Sequence, residues 1–306
     1  MPRSLLYDIH EVMNRHLKNQ FIYTISRIAI FFLARTPRSW VPILGALIGQ
    51  AALRLAAHER KTAEKQLVGA YGTLSERRRR LLLRGIAVAV GSSALEAVRL
   101  LGRRVDFPVV DLPESSRHAI DSALAEGRGV VFITGHVGNW ELMAAWLADR
   151  GYPIHTVVRS SYDPRFTRLI ETGRRRRGVK TIFRGQSGAA RAMLRTLRTG
   201  GILGFLIDQD TDVPSVFVPF FGRNAKTPVG PAVFATRCNA PVVIGTIHRR
   251  PDNTHRITIE RCAVGKDTAA TTALFTAALE TRIRRHPAQW VWFHRRWRSE
   301  ATKEAV

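Results

Sequence analysis

The segment Thr134-Gly-His-Val-Gly-Asn-Trp-Glu-Leu142 places an imidazole and a carboxylate five positions apart, directly after the apolar, β-rich run Val130-Val-Phe-Ile-Thr134. Proton transfer needs such a pair: a base near neutrality and an acid that orients it. In one continuous helix, residues five apart point about 140° away from each other, so the two side chains could not meet. They can meet only if His136 lies on a turn and Glu141 in the first turn of the helix that follows. Gly135 and Gly138 permit the sharp backbone, and Asn139 is a good helix N-cap. Glu141 then sits favourably with the helix dipole. The expectation is that His136 acts as general base and that Glu141 holds it in one tautomer and supports the imidazolium. A satisfied histidine in a capping turn is the alternative that spacing alone leaves open.

The sequence supplies no convincing protein nucleophile for this base. Gly185-Gln-Ser-Gly188 lacks the fifth-position glycine of a nucleophile elbow, and neither Cys238 nor Cys262 has a local histidine partner. The substrate is therefore expected to bring its own hydroxyl. The two cysteines form no CxxC, and no HExxH occurs, so neither a disulfide scaffold nor a metal site is expected, and a reducing compartment fits. Asp208-Gln209-Asp210 follows the run ILGFLI at a second strand end, where Asp208 could position substrate or cap a turn. Arg174–Arg177 could bind anionic groups or form a solvated basic loop. The aromatic run Phe217–Phe221 could line an apolar groove or belong to the core, and His294-Arg-Arg-Trp-Arg298 mixes charge and aromatics suited to a water–lipid boundary.

Positioning these groups needs a scaffold. Strand candidates are Val130–Thr134, Ile154–Val158, Val179–Ile182, Ile202–Ile207, Pro241–Ile247 and Arg256–Arg261, with helical stretches Leu142–Asp149, Ala189–Thr199 and Ala270–Arg285 between several of them. This alternation predicts an α/β layer structure. Pro108 and Pro113 mark a change of character. Residues 1–105 read as a nearly all-helical, membrane-associating region, and residues 106–306 as the α/β part, one compact unit. Two apolar stretches, Phe21–Ala34 and Trp40–Leu53, are separated by turn residues Thr36, Pro37 and Ser39. Their lengths suit a helical hairpin dipping into one leaflet, with buried core helices or a single tilted span as alternatives. The run Thr73-Leu-Ser-Glu76 has capping-box form ahead of Arg77–Arg80.

Of 306 residues, 48 are Lys or Arg and 24 are Asp or Glu, a net charge of +24, and 45% are hydrophobic. Disorder is excluded, and a polyanionic partner is expected: nucleic acid, anionic lipid or an acidic carrier protein. Nucleic-acid binding would account for the charge but for neither the apolar N-terminal stretches nor the His/Glu turn, so no nucleic-acid partner is expected.

The segment HVGNWE resembles the H-x4-D/E box of the late acyltransferases of lipid A biosynthesis and their relatives, the phosphatidylinositol mannoside acyltransferases. Four further segments resemble that family in order: VVRSSYDP (157–164), ETGRRRRG (171–178), IDQDTDVPSVFVPFFGRNAKTPVGPA (207–232) and HPAQWVWFHRRWRS (286–299). The resemblance implies a glycerolipid-acyltransferase-like fold, a mixed and mostly parallel sheet flanked by helices. It implies O-acyl transfer from an acyl thioester to a glycolipid hydroxyl, most readily lipid A or its Kdo-bearing precursor, with His136 and Glu141 catalytic. Arg159, Arg174, Asp208 and Gln209 would bind substrate. At Arg159 the usual following proline is Ser160, and ahead of Gly173 the usual arginine is Thr172. No cofactor is implied beyond an acyl-acyl carrier protein or acyl-coenzyme A co-substrate. The implied partners are acyl carrier protein, anionic membrane lipid and the glycolipid, at the cytoplasmic face of a bacterial inner membrane. An inositol mannoside, lysophospholipid or ornithine-type lipid is the alternative acceptor.

Overall fold

A computed structural model describes residues 19–102, 106–161 and 163–299; the expectations for residues 1–18 and 103–105 lie outside that range. The N-terminal part is helical as read. Helix α1 covers 19–33, a 3-10 turn covers Arg38–Trp40, and helices α2 (Val41–Leu55), α3 (Ala57–Tyr71) and α4 (Glu76–Leu100) follow. The cap of α4 differs from the expected box: Ser75, not Thr73, accepts from the Arg78 N–H, which places Glu76 in the first turn against Arg80. A close backbone crossing joins α2 to α4. A Cβ on Gly45 would come within 2.4 Å of Ser92 Cα, and one on Gly91 within 2.1 Å of the Gly45 carbonyl oxygen. Small residues on this face let the helices touch backbone to backbone, which turns the large apolar residues of α2 outward.

Among the described residues, α4 has the length and composition to cross a bilayer. It buries Leu83, Ile86, Ala87, Leu95 and Leu100 within the protein. Helix α3 likewise contributes Ala63, Leu67 and Ala70 to the apolar cluster that contains Phe220, Phe221, Trp290 and Trp292.

The remainder is a mixed α/β arrangement. Its sheet has seven strands: β1 (Val110–Asp111), β2 (Val130–Thr134), β3 (Ile154–Val158), β4 (Lys180–Phe183), β5 (Ile202–Leu206), β8 (Val242–Arg249) and β9 (His255–Cys262), in the order β1-β9-β8-β2-β5-β3-β4. Strands β8, β2, β5, β3 and β4 run parallel, and β9 pairs antiparallel with β8. The helices α5 (Glu114–Ala125), α6 (Trp140–Asp149), α7 (Pro164–Arg176), α8 (Ala189–Arg198), α9 (Gly230–Arg237) and α10 (Thr268–Arg285) flank it, and a hairpin of β6 (Ser215–Phe220) and β7 (Arg223–Pro228) stands apart. Every residue of β2 is buried, as its unbroken Val-Val-Phe-Ile run requires of a central parallel strand.

The structure refines three sequence readings. Arg174, Arg175 and Arg176 form the last turn of α7 rather than a loop. Its arginines recur at helical spacing, and Pro164 and the Asp163 cap start it cleanly. The run Phe217–Phe221 forms β6 and the hairpin turn. Alternation along β6 turns Val218 and Phe220 inward and Phe217 outward, and the turn residue Phe221, at φ +53°, folds back onto the same side, so Phe220 and Phe221 pack on Trp290, Trp292 and Tyr71 instead of lining a groove. Of the segment His294–Arg298, Arg296 is deeply buried while Arg295 and Arg298 are exposed, and Trp290 and Trp292 just ahead of it belong to the core.

Candidate active site

Parallel register builds the site. Thr134 at the end of β2 is level with Leu206 at the end of β5. The residues two places beyond each, His136 and Asp208, therefore emerge side by side at the carboxyl rim, where open α/β sheets collect functional groups. His136 Nδ1 lies 2.8 Å from Asp208 Oδ1, and the His136 backbone N–H donates to Oδ2 at 2.6 Å. Trp290 adds a third donor, its indole N–H reaching Oδ2 at 2.7 Å. A Cβ on Gly135 would sit 2.8 Å from Oδ2, so the absence of a side chain there lets the carboxylate come this close.

The Asp208 side chain is 1% exposed. Burial pushes its pKa up, but the adjacent His136 charge and the donors from His136 and Trp290 outweigh it and hold the carboxyl down at about 2. Asp208 is thus an anion at neutral pH. It fixes the proton on Nδ1 and leaves the Nε2 lone pair of His136 facing the cavity, near the Gln209 side-chain amide at 3.3 Å. The His136 ring packs edge-on against Trp140, centroids 4.6 Å apart.

This geometry corrects the expected pairing. Glu141 does sit in the first turn of α6, and Asn139 caps that helix by accepting from the Leu142 N–H at 3.0 Å. Gly138 takes φ +60° at a point where a Cβ would collide with the Ile247 carbonyl. Glu141, however, turns to Arg174 of α7: Arg174 Nε donates to one carboxylate oxygen at 2.9 Å and Nη2 to the other. No hydrogen bond or ion pair joins Glu141 to His136 among the described residues. The carboxylate on the imidazole comes from 72 positions further along the chain. Sequence reading placed Asp208 at the site but gave it to the substrate, and it missed Trp290. The usable signal was Asp208 following a buried strand just as His136 does; the missing fact was that β2 and β5 are neighbours.

His136, Glu141, Arg159, Arg174 and Gln209 all border one cavity of about 510 Å³. Its walls are apolar, from Phe132, Met143, Leu147, Met193, Phe205 and Phe234 among others. His294 lies behind the pair; burial lowers its pKa, and its Nδ1 has no hydrogen-bond partner among the described residues. Asp210 turns away to anchor the C-terminal segment, accepting from the Ser299 N–H at 2.7 Å. An imidazole with a buried anion behind it and a greasy chamber in front suits deprotonation of a hydroxyl beside an apolar chain.

Comparison with known proteins agrees with this chemistry. The family of bacterial lipid A biosynthesis acyltransferases matches residues 11–299. A phosphatidylinositol mannoside acyltransferase of Mycobacterium tuberculosis is 27% identical over 210 residues, 67% of this chain and 64% of that relative. The lipid A biosynthesis lauroyltransferase of Escherichia coli is 25% identical over 283 residues, 88% of this chain and 89% of the relative. The lipid A biosynthesis palmitoleoyltransferase of the same organism is 28% identical over 192 residues, 60% of each. The chain spans 64% of the length of the first of these relatives.

Proposed function

The chain belongs to the bacterial lipid A biosynthesis acyltransferase family, and we propose that it moves a fatty acyl group from a thioester to a hydroxyl of a membrane glycolipid, with His136 as general base. The observation that carries this reading is the His136–Asp208 pair, whose outer imidazole nitrogen borders an apolar cavity of about 510 Å³. That volume falls in the range of roughly 300–1,000 Å³ typical of small-molecule sites.

In the proposed step, Nε2 of His136 takes the proton of the acceptor hydroxyl as its oxygen attacks the thioester carbonyl. Asp208 stabilises the imidazolium through Nδ1–H without taking the proton itself. The tetrahedral intermediate collapses with cleavage of the C–S bond, and the imidazolium returns the proton to the departing thiolate. Glu141 is then a positioning residue: it locks the Arg174 guanidinium beside the cavity, where positive charge supports the developing oxyanion. Gln209, within reach of Nε2, holds the lone pair until an acceptor hydroxyl replaces it. Transfer is direct, with no acyl-enzyme.

The acceptor we favour is lipid A or its Kdo-bearing precursor, which the 88% coverage of this chain by the lauroyltransferase match supports. Similarity to the mannoside acyltransferase supports an inositol mannoside as second reading. The donor is an acyl thioester on acyl carrier protein, ahead of coenzyme A, because a net charge of +24 suits an acidic carrier. The apolar residues exposed on α1 and α2 support seating on the cytoplasmic face of the inner membrane. Helix α1 touches α7 through Tyr23 on Phe166, and α7 also carries Arg174 to the cavity, which would bring the bilayer towards it. Mass spectrometry of membrane lipids from cells with and without the protein tests the proposal. One acyl chain missing from a glycolipid is expected, and an unchanged glycolipid profile would overturn it.

A further inference from the structure

Three arginines border the cavity, Arg159, Arg174 and Arg184, against a single carboxylate, Glu141. Arg174 is committed to that carboxylate in a two-pronged fork. Arg159 and Arg184 have no acidic partner among the described residues.

Their closeness is built into the sheet by the same rule that joins His136 to Asp208. Val158 at the end of β3 is level with Phe183 at the end of β4, so the next residues, Arg159 and Arg184, leave adjacent strands at the same height. The ladder continues one rung further, with the Arg184 N–H donating to the Val158 carbonyl at 2.8 Å. Burial lowers the pKa of Arg184, and the charge of Arg159 lowers it further, so each cation feels the other. Arg159 is exposed and Arg184 is half-buried, and like charges side by side at the mouth of an apolar chamber repel unless an anion joins them. A guanidinium pair suits a tetrahedral anion with several acceptor oxygens.

We propose that Arg159 and Arg184 together clamp a phosphate ester of a substrate at the rim of the acyl chamber, with Arg174 excluded from that role by Glu141. The proposal rests on the acyl-transfer reading of the chamber and names a ligand group for it. The phosphate could belong to the pantetheine arm of the donor or to a lipid headgroup. The two share the same chemistry, and the test separates them.

The test uses two matched probe pairs on the full chain in detergent, each competing with a fluorescent fatty acid. The first is lauroyl-4′-phosphopantetheine with lauroyl-pantetheine; the second is lauroyl lysophosphatidic acid with monolauroylglycerol. In the wild type, the phosphate-bearing member of at least one pair is expected to bind about tenfold or more tightly than its partner, the scale of one or more charge-assisted hydrogen bonds. Arg184→Gln and Arg159→Gln should each abolish most of that preference and leave affinity for the phosphate-free member within about twofold, because a neutral probe makes no charge-assisted bond to them. Arg184→Lys should retain part of it. Arg191→Gln, which removes an exposed charge from α8, should change nothing and so controls for general electrostatic attraction.

A preference confined to the first pair assigns the clamp to the donor, and one confined to the second assigns it to the lipid. Equal affinities within both pairs, or a preference that survives both glutamine variants, would overturn the clamp. Failure of the acyl-chamber reading looks different, since neither phosphate-free probe would then compete.

Discussion

The rim of the sheet and the N-terminal helices use their residues in opposite ways. At the rim, Asp208 is fully enclosed and accepts three donors from two distant segments, so its geometry is set from inside the protein. On α1 and α2, Phe21, Ile28, Phe32, Ile43 and Leu47 are each more than half exposed. The small residues Gly45 and Gly49 take up the inner face instead. Polar groups are therefore buried where chemistry needs a preorganised anion, and large apolar groups are left outside where nothing among the described residues covers them. Under the proposed function, a bilayer surface would complete the second arrangement.

The largest expected effects separate the two regions. His136→Ala should lower transfer on the order of 10³ to 10⁴-fold, and Asp208→Asn nearly as much, because the amide no longer enforces the tautomer. Glu141→Gln should lose less, roughly 10- to 100-fold, since it acts through Arg174 by charged hydrogen bonds. Steady-state rates for the three variants check this order, and a Glu141 effect equal to that of His136 would restore the local His/Glu pair. All three should sediment with vesicles as the wild type does. Ile43→Glu with Leu47→Glu should behave in the reverse sense. Each residue withdrawn from an apolar phase forfeits about 1.5–3 kcal/mol, so binding to phosphatidylglycerol vesicles should fall more than about tenfold. The melting temperature should stay within about 2 °C, as exposed side chains contribute little to the core.

How far the sequence could be read follows the same division. The buried strands were legible because continuous Val/Ile/Phe runs between glycines have one structural solution; β2 and β3 begin and end where the pattern placed them. The apolar N-terminal helices and the Asn139 cap were equally local signals. What failed was non-local. The order β2-β5-β3-β4 is a choice among topologies that no single segment encodes, and its β2–β5 and β3–β4 adjacencies put Asp208 beside His136 and Arg184 beside Arg159. Glu141, nearest in sequence, was the natural guess for the orienting acid. Helix α7 was obscured because its arginines dominate the composition, and β6 and β7 because aromatic residues at Phe217–Phe221 look alike whether they face a groove or a core.

Acid should sharpen the contrast at an intermediate size. Asp208 has a folded pKa of about 2, below the usual carboxylate value near ~3.9. A depressed pKa stabilises the fold in full above the unfolded value, and the stabilisation is lost as pH falls from about 4 through about 2. Its size is roughly 2–3 kcal/mol by linkage. Urea midpoints measured across that window should fall steeply for the wild type and less steeply for Asp208→Asn. Equal slopes would mean that Asp208 is not the anion described here.

The smallest effect tests a tie between the two regions. Asn139 accepts from the Leu142 N–H to cap α6 and donates to Glu96 of α4 at 2.9 Å, so one side chain joins the catalytic turn to a helix that also packs on α2. Burial raises the Glu96 pKa, but hydrogen bonds and charge from His255, Arg249 and Asn139 pull it below the ordinary value, so Glu96 is an anion that needs its donors. Asn139→Ala removes the cap and one donor and should cost about 1–2 kcal/mol. Asn139→Asp preserves the cap geometry but sets a carboxylate against Glu96. If the cap alone matters, the Asp variant should be as stable as the wild type at pH 7. If the tie to α4 matters, it should be less stable at pH 7 and should recover as acid protonates one of the two carboxyls, a sign opposite to that of Asp208 and readable in the same urea titrations.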